Sequence, residues 1–403
     1  MKNSYQNIEL IVGIPSYMEA DNIAFVAKMV DKGIKKYFSD LKAIIVNIDN
    51  NSMDDTKGVF LSTDTITPKK YISTPKGVLG KGNNFINLFK FAKKQFPSLK
   101  VTIVVDADLK SITPEWVKYL AEPILNGFDY ALPRYSRHQF DGTITNHICY
   151  PILYGLLGED LRQPIGGEFG FSPQLIDHWL KEKWLPTTKH FGIDIFMTMN
   201  AILGKYKICE VVLGKKVHKA SAPKLGAMFT QVVTTFFEKI LENKYEWMNL
   251  PMGTPKAKPQ FGLKKIDPPQ EIKIDIRDLK RKLNEEYFQR EKLLQQFLND
   301  YAMTRLNHMF EEDYYDMDIL MWTQVMYQLL YQYDIGSKRM KKEIVEVLKP
   351  LYFARSVTFD YQSWRYNINY AEETILEQAK AFASQKPYLI GLYWKDNKCN
   401  VMT

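Results

Sequence analysis

The chain is 403 residues long and 45% hydrophobic, with 54 Lys and Arg against 46 Asp and Glu, a formal net charge of +8. That is enough apolar material for a large core, and the length predicts one large domain with a smaller one beside it. The basic surplus is modest and spread along the chain without a compact basic-aromatic motif, which fits anionic metabolites and argues against a nucleic-acid partner.

The N-terminal MKNSYQNIELIVG has no apolar signal region and no small-residue cleavage site, so no signal peptide is expected. IELIVGIP (8–15) is predicted as a strand, and residues 20–38 as an amphipathic helix with Asp21 placed to cap it. LKAIIVNID (41–49) is a second strand, followed by the polar turn NNSMDDT and a short helical run. KKYIST (69–74) is a third strand, residues 83–96 a helix, and VTIVVDAD (101–108) a fourth strand. This alternation with β-branched, nearly continuous strands predicts a parallel sheet covered by helices, an α/β fold. Ligands of such sheets sit beyond the carboxyl ends of the strands, where Pro15, Ser16, Tyr17, Asp49, Asn50, Asp106 and Asp108 would converge. ICYPILYGLLG (148–158), the longest apolar run, contains Pro and Gly and is predicted as a buried helix. No uncharged run reaches the ~18 residues of a membrane span. Cys149, Cys209 and Cys399 show no pairing or ligand spacing, which favours a reducing, cytoplasmic setting. Residues 1–250 are thus expected as the catalytic domain and 251–275, rich in Pro and Lys, as a linker or surface arm. Residues 276–403 are expected as a helical C-terminal domain in which Pro350 kinks or ends a helix.

Asp106 and Asp108, two apart after a buried strand, point to one side of an extended strand end. Their carboxylates repel unless a cation sits beside them, and Mg²⁺ or Mn²⁺ accepts such oxygens while leaving positions for phosphate. The competing reading makes Asp108 a turn or cap residue and Asp106 a surface group. GVLGKGNNF (77–85) sets Lys81 in a glycine-rich turn that opens a helix, which suits a phosphate or diphosphate. It lacks the P-loop spacing, and an ordinary flexible turn would look the same. QPIGGEFGFSPQL (163–175) surrounds Glu168 with glycines that let backbone approach a ligand, or serves as a sharp buried turn with a structural ion pair. In HFGIDIFMTMNAI (190–202), Asp194 opens a helix, either as a site carboxylate or as one favoured by the helix dipole. His218, after the apolar run VVLG and flanked by Lys216 and Lys219, becomes a ligand candidate only if the chain returns it to Asp106 and Asp108. PRYSRHQFDGTIT (133–145) gathers Arg134, Arg137 and His138, a cluster suited to a carboxylate or phosphate, or a solvated basic loop.

In this order, over residues 9–240, the motifs resemble the GT-A nucleotide-sugar glycosyltransferases, in particular the retaining mannosylglycerate and glucosyl-3-phosphoglycerate synthases. IPSYMEADNI is similar to the family's P-x-x-N/H-E opening, with Glu19 at the Glu position. Asp49 with NNSMDDT resembles the base-and-ribose turn, GKG (80–82) the loop near the diphosphate, and DADLKSITPEW the metal-binding D-x-D. PIGGEFGFS resembles the P-L-G-G-E segment lining the acceptor and sugar pocket, and FGID the W-G-I-D of the mannosylglycerate enzymes, whose Asp lies close to the transferred sugar. The resemblance implies a GT-A sheet with a C-terminal helical region and a divalent metal, Mg²⁺ or Mn²⁺, held by Asp106, Asp108 and His218. It implies a donor site of Pro15, Tyr17, Glu19, Asp49, Lys81, Asp106, Ala107 and Asp108. Lys81, Glu168 and Asp194 would act at the reacting sugar. Arg134, Arg137, Thr143, Thr145, Gly166 and Gly167 would hold the acceptor.

The implied reaction moves glucose or mannose from a nucleoside diphosphate to glycerate or 3-phosphoglycerate, as in compatible-solute synthesis. KLGAMFTQVVTTFF, from residue 224, looks most like the phosphoglycerate enzymes, and RSVTFDYQSWRYNINYAEE leans towards the mannosylglycerate type, so the acceptor stays open between them. The helical C-terminal part is compatible with a homodimer or with closure over the site. The alternatives are a transferase of the same fold acting on a glycan or lipid, a sugar nucleotidyltransferase, and a catalytically silent sugar-nucleotide-binding or scaffold protein. A nucleotidyltransferase should carry a Gly-rich, basic signature where PSYMEADN stands, and a silent protein should lack part of Asp106, Asp108 and His218.

Overall fold

The computed structural model describes residues 7–219, 225–265, 267–272 and 275–399. Ten strands run among them: β1 (Leu10–Ser16), β2 (Ala43–Asp49), β3 (Lys69–Ser73), β4 (Val101–Val104), β5 (Tyr130–Ser136), β6 (Glu159–Asp160), β7 (Phe169–Phe171), β8 (Ile208–Lys215), β9 (Lys256–Ala257) and β10 (Gln260–Gly262). The chain divides into two compact units, and both are discontinuous in sequence. One comprises Met1–Arg137, Gln163–Phe236 and Lys258–Gln270, the other His138–Arg162, Phe237–Ala257 and Glu271–Thr403. The division expected near residue 250 is therefore not the one the backbone takes. The expected linker supplies β9 to one unit and β10 to the other, while its residues 266, 273 and 274 lie outside the described residues.

The first unit is an α/β unit built on an eight-stranded sheet in the order β10-β8-β5-β7-β4-β1-β2-β3. All its neighbours pair in parallel except β7, which runs antiparallel to β4 and β5. The sequence expectation of a parallel sheet missed this strand. It is three residues long and enters directly from the glycine turn before it, too short to show a pattern. β1 and β2 are buried along their whole lengths, as continuous β-branched runs require when helices cover both faces. On one face the helices Ile23–Tyr37 and Pro114–Leu125 pack Val26, Val30, Ile34, Trp116 and Val117 against Leu10, Val12 and Ile14. Each such fully buried aliphatic side chain contributes roughly 1.5–3 kcal/mol. On the other face Phe89, from the helix Lys81–Gln95, stacks on Trp179 at 5.4 Å and meets Phe171 edge-on at 5.6 Å. The register places Ser16 opposite Asp49 and Asp49 opposite Ser73, so β1, β2 and β3 end level with one another.

The second unit is helical: Ile276–Phe297, Asp300–Glu311, Ile319–Ile335, Lys338–Ser363, Ile368–Ser384 and Lys386–Cys399. Asp275, Asn299, Asp318, Ser337 and Asn367 cap five of these through side-chain oxygens that accept backbone N–H bonds. The apolar run 148–158 is helical and buried as expected, and Gly158 ends it with φ +66°. Tyr150 and Tyr154 of that run pack on Phe359, Ala371, Ile375 and Ala379. Pro350 lies inside Lys338–Ser363 and does not end it. Burial of Leu348, Leu351, Tyr352 and Ala354 around it outweighs the ~3 kcal/mol that an interior proline costs a helix. Among the described residues no helix is long and apolar enough to cross a membrane.

Candidate active site

At the level ends of β1 and β2, polar side chains are spent on one another. Asp49, 1% exposed, accepts from Ser16 Oγ and Ser52 Oγ, both at 2.7 Å, from Ser52 N at 2.7 Å and from the Tyr71 hydroxyl at 3.0 Å. Its carboxylate, expected at the base and ribose of a donor, is thus engaged in tying three strand ends and the following turn together. Pro15 is buried within β1, whereas Tyr17 is 44% exposed beyond it. Asn50 bonds Asn84 and receives the Gly80 N–H, which docks the GKG loop on the strand ends. Gly80 has φ +120°, and a Cβ on Gly82 would fall 2.0 Å from the Thr188 carbonyl oxygen. The Gly82 N–H donates to His190 O at 3.1 Å. Only glycines let this loop close on residues 188–190 while Lys81 starts the helix between them.

Five charged side chains then interleave. Lys81 Nζ lies 3.1 Å from Asp106 Oδ1 and 3.3 Å from Asp194 Oδ2. Lys216 Nζ lies 3.6 Å from Asp106 Oδ2 and donates to both Glu168 oxygens, at 2.9 and 2.8 Å, and to Gly166 O at 2.9 Å. The Tyr135 hydroxyl donates to Glu168 Oε2. Each member comes from a different element. Asp106 follows β4, Glu168 precedes β7, Lys216 follows β8, and Asp194 lies in the first turn of the helix Ile193–Leu203. Gly167, with φ +102°, makes room for the arrangement, since a Cβ there would stand 2.8 Å from both Asp106 Oδ2 and Lys216 Nζ.

Burial raises the Asp194 and Glu168 carboxyls above the usual range even against the neighbouring ammoniums. Burial opposes Asp106 too, but Lys81 and Lys216 together outweigh it and hold that carboxyl low. Burial likewise works against the Lys81 ammonium, yet the surrounding carboxylates prevail and raise its pKa. Three carboxylates face two ammoniums, and Asp194 Oδ1 is buried without a hydrogen-bond partner among the described residues. The cluster has spare acceptor capacity that suits a hydroxyl or a cation.

The Asp106–Asp108 segment is pinned by Asn22, whose Nδ2 donates to Ala107 O at 2.8 Å and Leu109 O at 2.9 Å. The chain returns to it after β8. Lys110 N donates to Val217 O at 2.8 Å, and Val217 N to Ser111 Oγ at 2.9 Å, so half-buried His218 follows a residue bonded to the acidic loop. Lys219 Nζ bridges Glu19 and Asp21 at 2.7 Å each, and burial raises the Glu19 carboxyl despite that contact. Asp21 is therefore in an ion pair, and no side chain caps the helix Ile23–Tyr37. Among the described residues no three His, Cys, Asp or Glu side chains are gathered tightly enough to hold a metal alone. The donor set of Asp106, Asp108 and His218 nevertheless fits Mg²⁺ or Mn²⁺ chemically. These ions are usually bound by one or two carboxylates with substrate phosphates, not by an all-protein cage.

Of the expected acceptor residues, Arg134 reaches Glu210 at 3.3 Å, and the Arg137 guanidinium lies over the Tyr135 ring at 5.7 Å. Gly166 packs where a Cβ would meet Pro133 at 2.2 Å. Thr143 and Thr145 belong to the helical unit, where Thr143 bonds the Tyr352 hydroxyl and Thr145 is 5% exposed. Two cluster members were not singled out in the sequence, Lys216 and Tyr135. Their only signal is position, since each stands at or just past the end of a strand, where neighbouring residues were already suspect.

A comparison with protein families matches residues 11–175 to glycosyl transferase family 2. No curated protein matches the chain. Among solved structures, the chain is similar to glucosyl-3-phosphoglycerate synthase from Mycobacterium tuberculosis in complex with Mn²⁺, UDP and glucosyl-3-phosphoglycerate. That likeness has 22% identity over 58% of this chain and 80% of that one, with a TM-score of 0.47. The same enzyme with Mn²⁺, UDP-glucose and phosphoglyceric acid aligns at 24% identity over 58% and 79%, with a TM-score of 0.46. Through residues 11–175 and the motifs they contain, the chain resembles the GT-A nucleotide-sugar glycosyltransferases of glycosyl transferase family 2.

Proposed function

We propose that this chain is a metal-dependent hexosyltransferase that moves glucose or mannose from a nucleoside-diphosphate sugar to glycerate or 3-phosphoglycerate, with retention at the anomeric carbon. The observation that carries the reading is the Lys81–Asp106–Asp194–Glu168–Lys216 cluster at the carboxyl ends of the sheet strands, within and just beyond the span that matches the family. Asp106, Asp108 and His218 would hold Mg²⁺ or Mn²⁺, which supplies Lewis-acid neutralisation of the departing diphosphate. Lys81, in the first turn of its helix, would stabilise developing negative charge on that diphosphate. Asp194, with Oδ1 unmet and Oδ2 on Lys81, accepts a hydroxyl of the sugar or acceptor. Glu168, fixed by Tyr135 and Lys216, orients the sugar pocket, and the Arg137 guanidinium meets the acceptor's acidic group.

The test is a panel of UDP-, GDP- and ADP-linked glucose and mannose against glycerate and 3-phosphoglycerate, with Mg²⁺ or Mn²⁺. Release of nucleoside diphosphate with one acceptor supports the proposal, and release of pyrophosphate from a nucleoside triphosphate and a sugar phosphate points to a nucleotidyltransferase instead. If neither acid triggers release from any donor, the small-acid reading fails. Asp108→Ala and His218→Ala are each expected to abolish metal-dependent transfer with the fold intact. Full activity in either variant removes that residue from the metal set.

A further inference from the structure

The helical unit carries an aromatic feature that the transfer chemistry does not use. The helix Lys338–Ser363 ends at a four-residue turn, and Ile368–Ser384 begins immediately after it. Around this turn Trp364 and Tyr366 are each 56% exposed, Tyr361 45% and Tyr370 38%. Together with Gln362 and Arg365 they line a cavity of about 540 Å³. Tyr366 and Tyr370 stack at 4.2 Å with 30° between their planes, which gives a flat platform and not an irregular apolar spot.

The platform is preorganised. Gln139 Nε2 donates to Ser363 O at 2.9 Å and Tyr366 O at 3.3 Å, and the Tyr366 N–H closes on Ser363 O at 3.0 Å. Asn367 caps the next helix by accepting the Tyr370 N–H at 3.2 Å. Lys280 sits over the Tyr361 ring at 5.4 Å and is itself held by Asp313 at 2.8 Å, so one face of that ring is covered. Rings held in place before a ligand arrives lose little further freedom when it binds. A free-standing apolar patch would contain Leu, Ile or Phe. Here every large apolar group also carries a hydroxyl or an indole N–H, the amphipathic chemistry of a ligand with both a C–H face and hydroxyls.

The charge balance points the same way. Arg365 is the one charged side chain of the lining, and Glu372 and Glu373 follow closely in sequence. An anionic membrane surface is met by clusters of ~4–8 Lys and Arg, which this lining lacks. The cavity also falls within the ~300–1,000 Å³ of small-ligand clefts lined by aromatic groups with a few polar ones. We infer that Tyr361, Trp364, Tyr366 and Tyr370, with Gln362 and Arg365, form a binding site for an uncharged saccharide of two or more pyranose rings. The rings stack on the sugar C–H faces, and the amide and guanidinium bond its hydroxyls. This site does not depend on the transfer reaction proposed above.

The experiment titrates the full chain with maltotriose, cellotriose and mannotriose, read by saturation-transfer NMR and tryptophan fluorescence. One of these should saturate, bind at least tenfold more weakly to Trp364→Ala and to Tyr366→Ala, and keep most of its affinity for Tyr366→Phe. Far-UV circular dichroism of the variants should match the parent, because all these side chains are exposed. Absence of saturable binding by all three sugars overturns the inference. So does equal binding by the parent and both alanine variants, or ring-dependent binding to phosphatidylglycerol vesicles without sugar binding.

Discussion

The charged cluster of the sheet unit and the sealed Arg355 and Asp360 of the helical unit are handled in opposite ways. In the sheet unit Asp106, Asp194 and Glu168 share Lys81 and Lys216, and every member has an opposite charge within 3.6 Å. In the helical unit Arg355, fully buried, donates to Gln378 and the Met317 carbonyl, with Nη2 without a hydrogen-bond partner among the described residues and Asp316 and Asp318 acting on it without a salt bridge among them. Asp360, 3% exposed, has Oδ1 unbonded among the described residues, and burial lifts its carboxyl to about 8. The difference lies in access. The shared cluster stands at strand ends with the Asp106 side chain 24% exposed, so its spare acceptor can meet a ligand. Arg355 and Asp360 are sealed in the interior, where no ligand reaches them.

The largest expected effect is at the cluster. Lys81→Ala removes the ammonium shared by Asp106 and Asp194 and should slow transfer by about 10²–10³-fold, as loss of one charge-stabilising donor commonly does. Nucleoside diphosphate release measures it. An unchanged rate would reduce the cluster to a structural ion-pair network like any other. Lys216→Met tests the other half. It leaves Glu168, 0% exposed, as a buried carboxylate without its cation, which costs on the order of 3 kcal/mol. Removing the cation raises the Glu168 carboxyl further, and a raised carboxyl contributes stability at low pH that is lost as pH rises through the folded-state value. The loss on urea unfolding should therefore be larger at pH 8 than at pH 5. Adding Glu168→Gln should recover most of it.

Gly167→Ala comes next, at about 1–3 kcal/mol. Its φ of +102° is strained for any side chain, and the new methyl would press on Asp106 and Lys216. Thermal unfolding together with transfer rate checks this. Loss of stability with full activity would mean that Asp106 need not keep its place between the two lysines.

The strands and helices of the sheet unit were legible up to the fourth strand, because buried parallel strands leave continuous β-branched runs and covering helices leave a clear period. Lys81, Asp106, Glu168 and Asp194 were legible for a local reason, since glycines or a helix start surround an acid or lysine at each. Lys216 was not, because a lysine beyond a strand looks like a solvated one until Glu168, 48 residues earlier, is seen beneath it. Thr143 and Thr145 were placed with Arg134 and Arg137 in the acceptor set that the resemblance implies. Between residues 137 and 163 the chain instead leaves the sheet unit for the helical one, and no local signal marks the exit. β7 escaped for the same reason as Lys216, since its identity as a strand lies in its partners β4 and β5 and not in three residues.

The smallest effect on transfer belongs to the sealed charges. The Asp360 carboxyl is raised to about 8 by burial, so the folded state binds its proton more tightly than the unfolded chain does. By linkage its contribution is fully present below about pH 4 and falls as pH rises towards 8. Asp360→Asn keeps the shape and cannot ionise. The variant should differ least from the parent near pH 5 and gain on it steadily as pH rises to 9, by about 1.4 kcal/mol per pH unit at most, because the parent must bury a charge or stay protonated against the solvent. Urea unfolding at the two pH values decides it. Because Asp360 belongs to the helical unit and is no member of the sheet-unit cluster, transfer by the variant at pH 7 should be unchanged. A parallel loss of transfer would mean that charge sealed in the helical unit also acts on the chemistry, and the contrast between the two units would then fail.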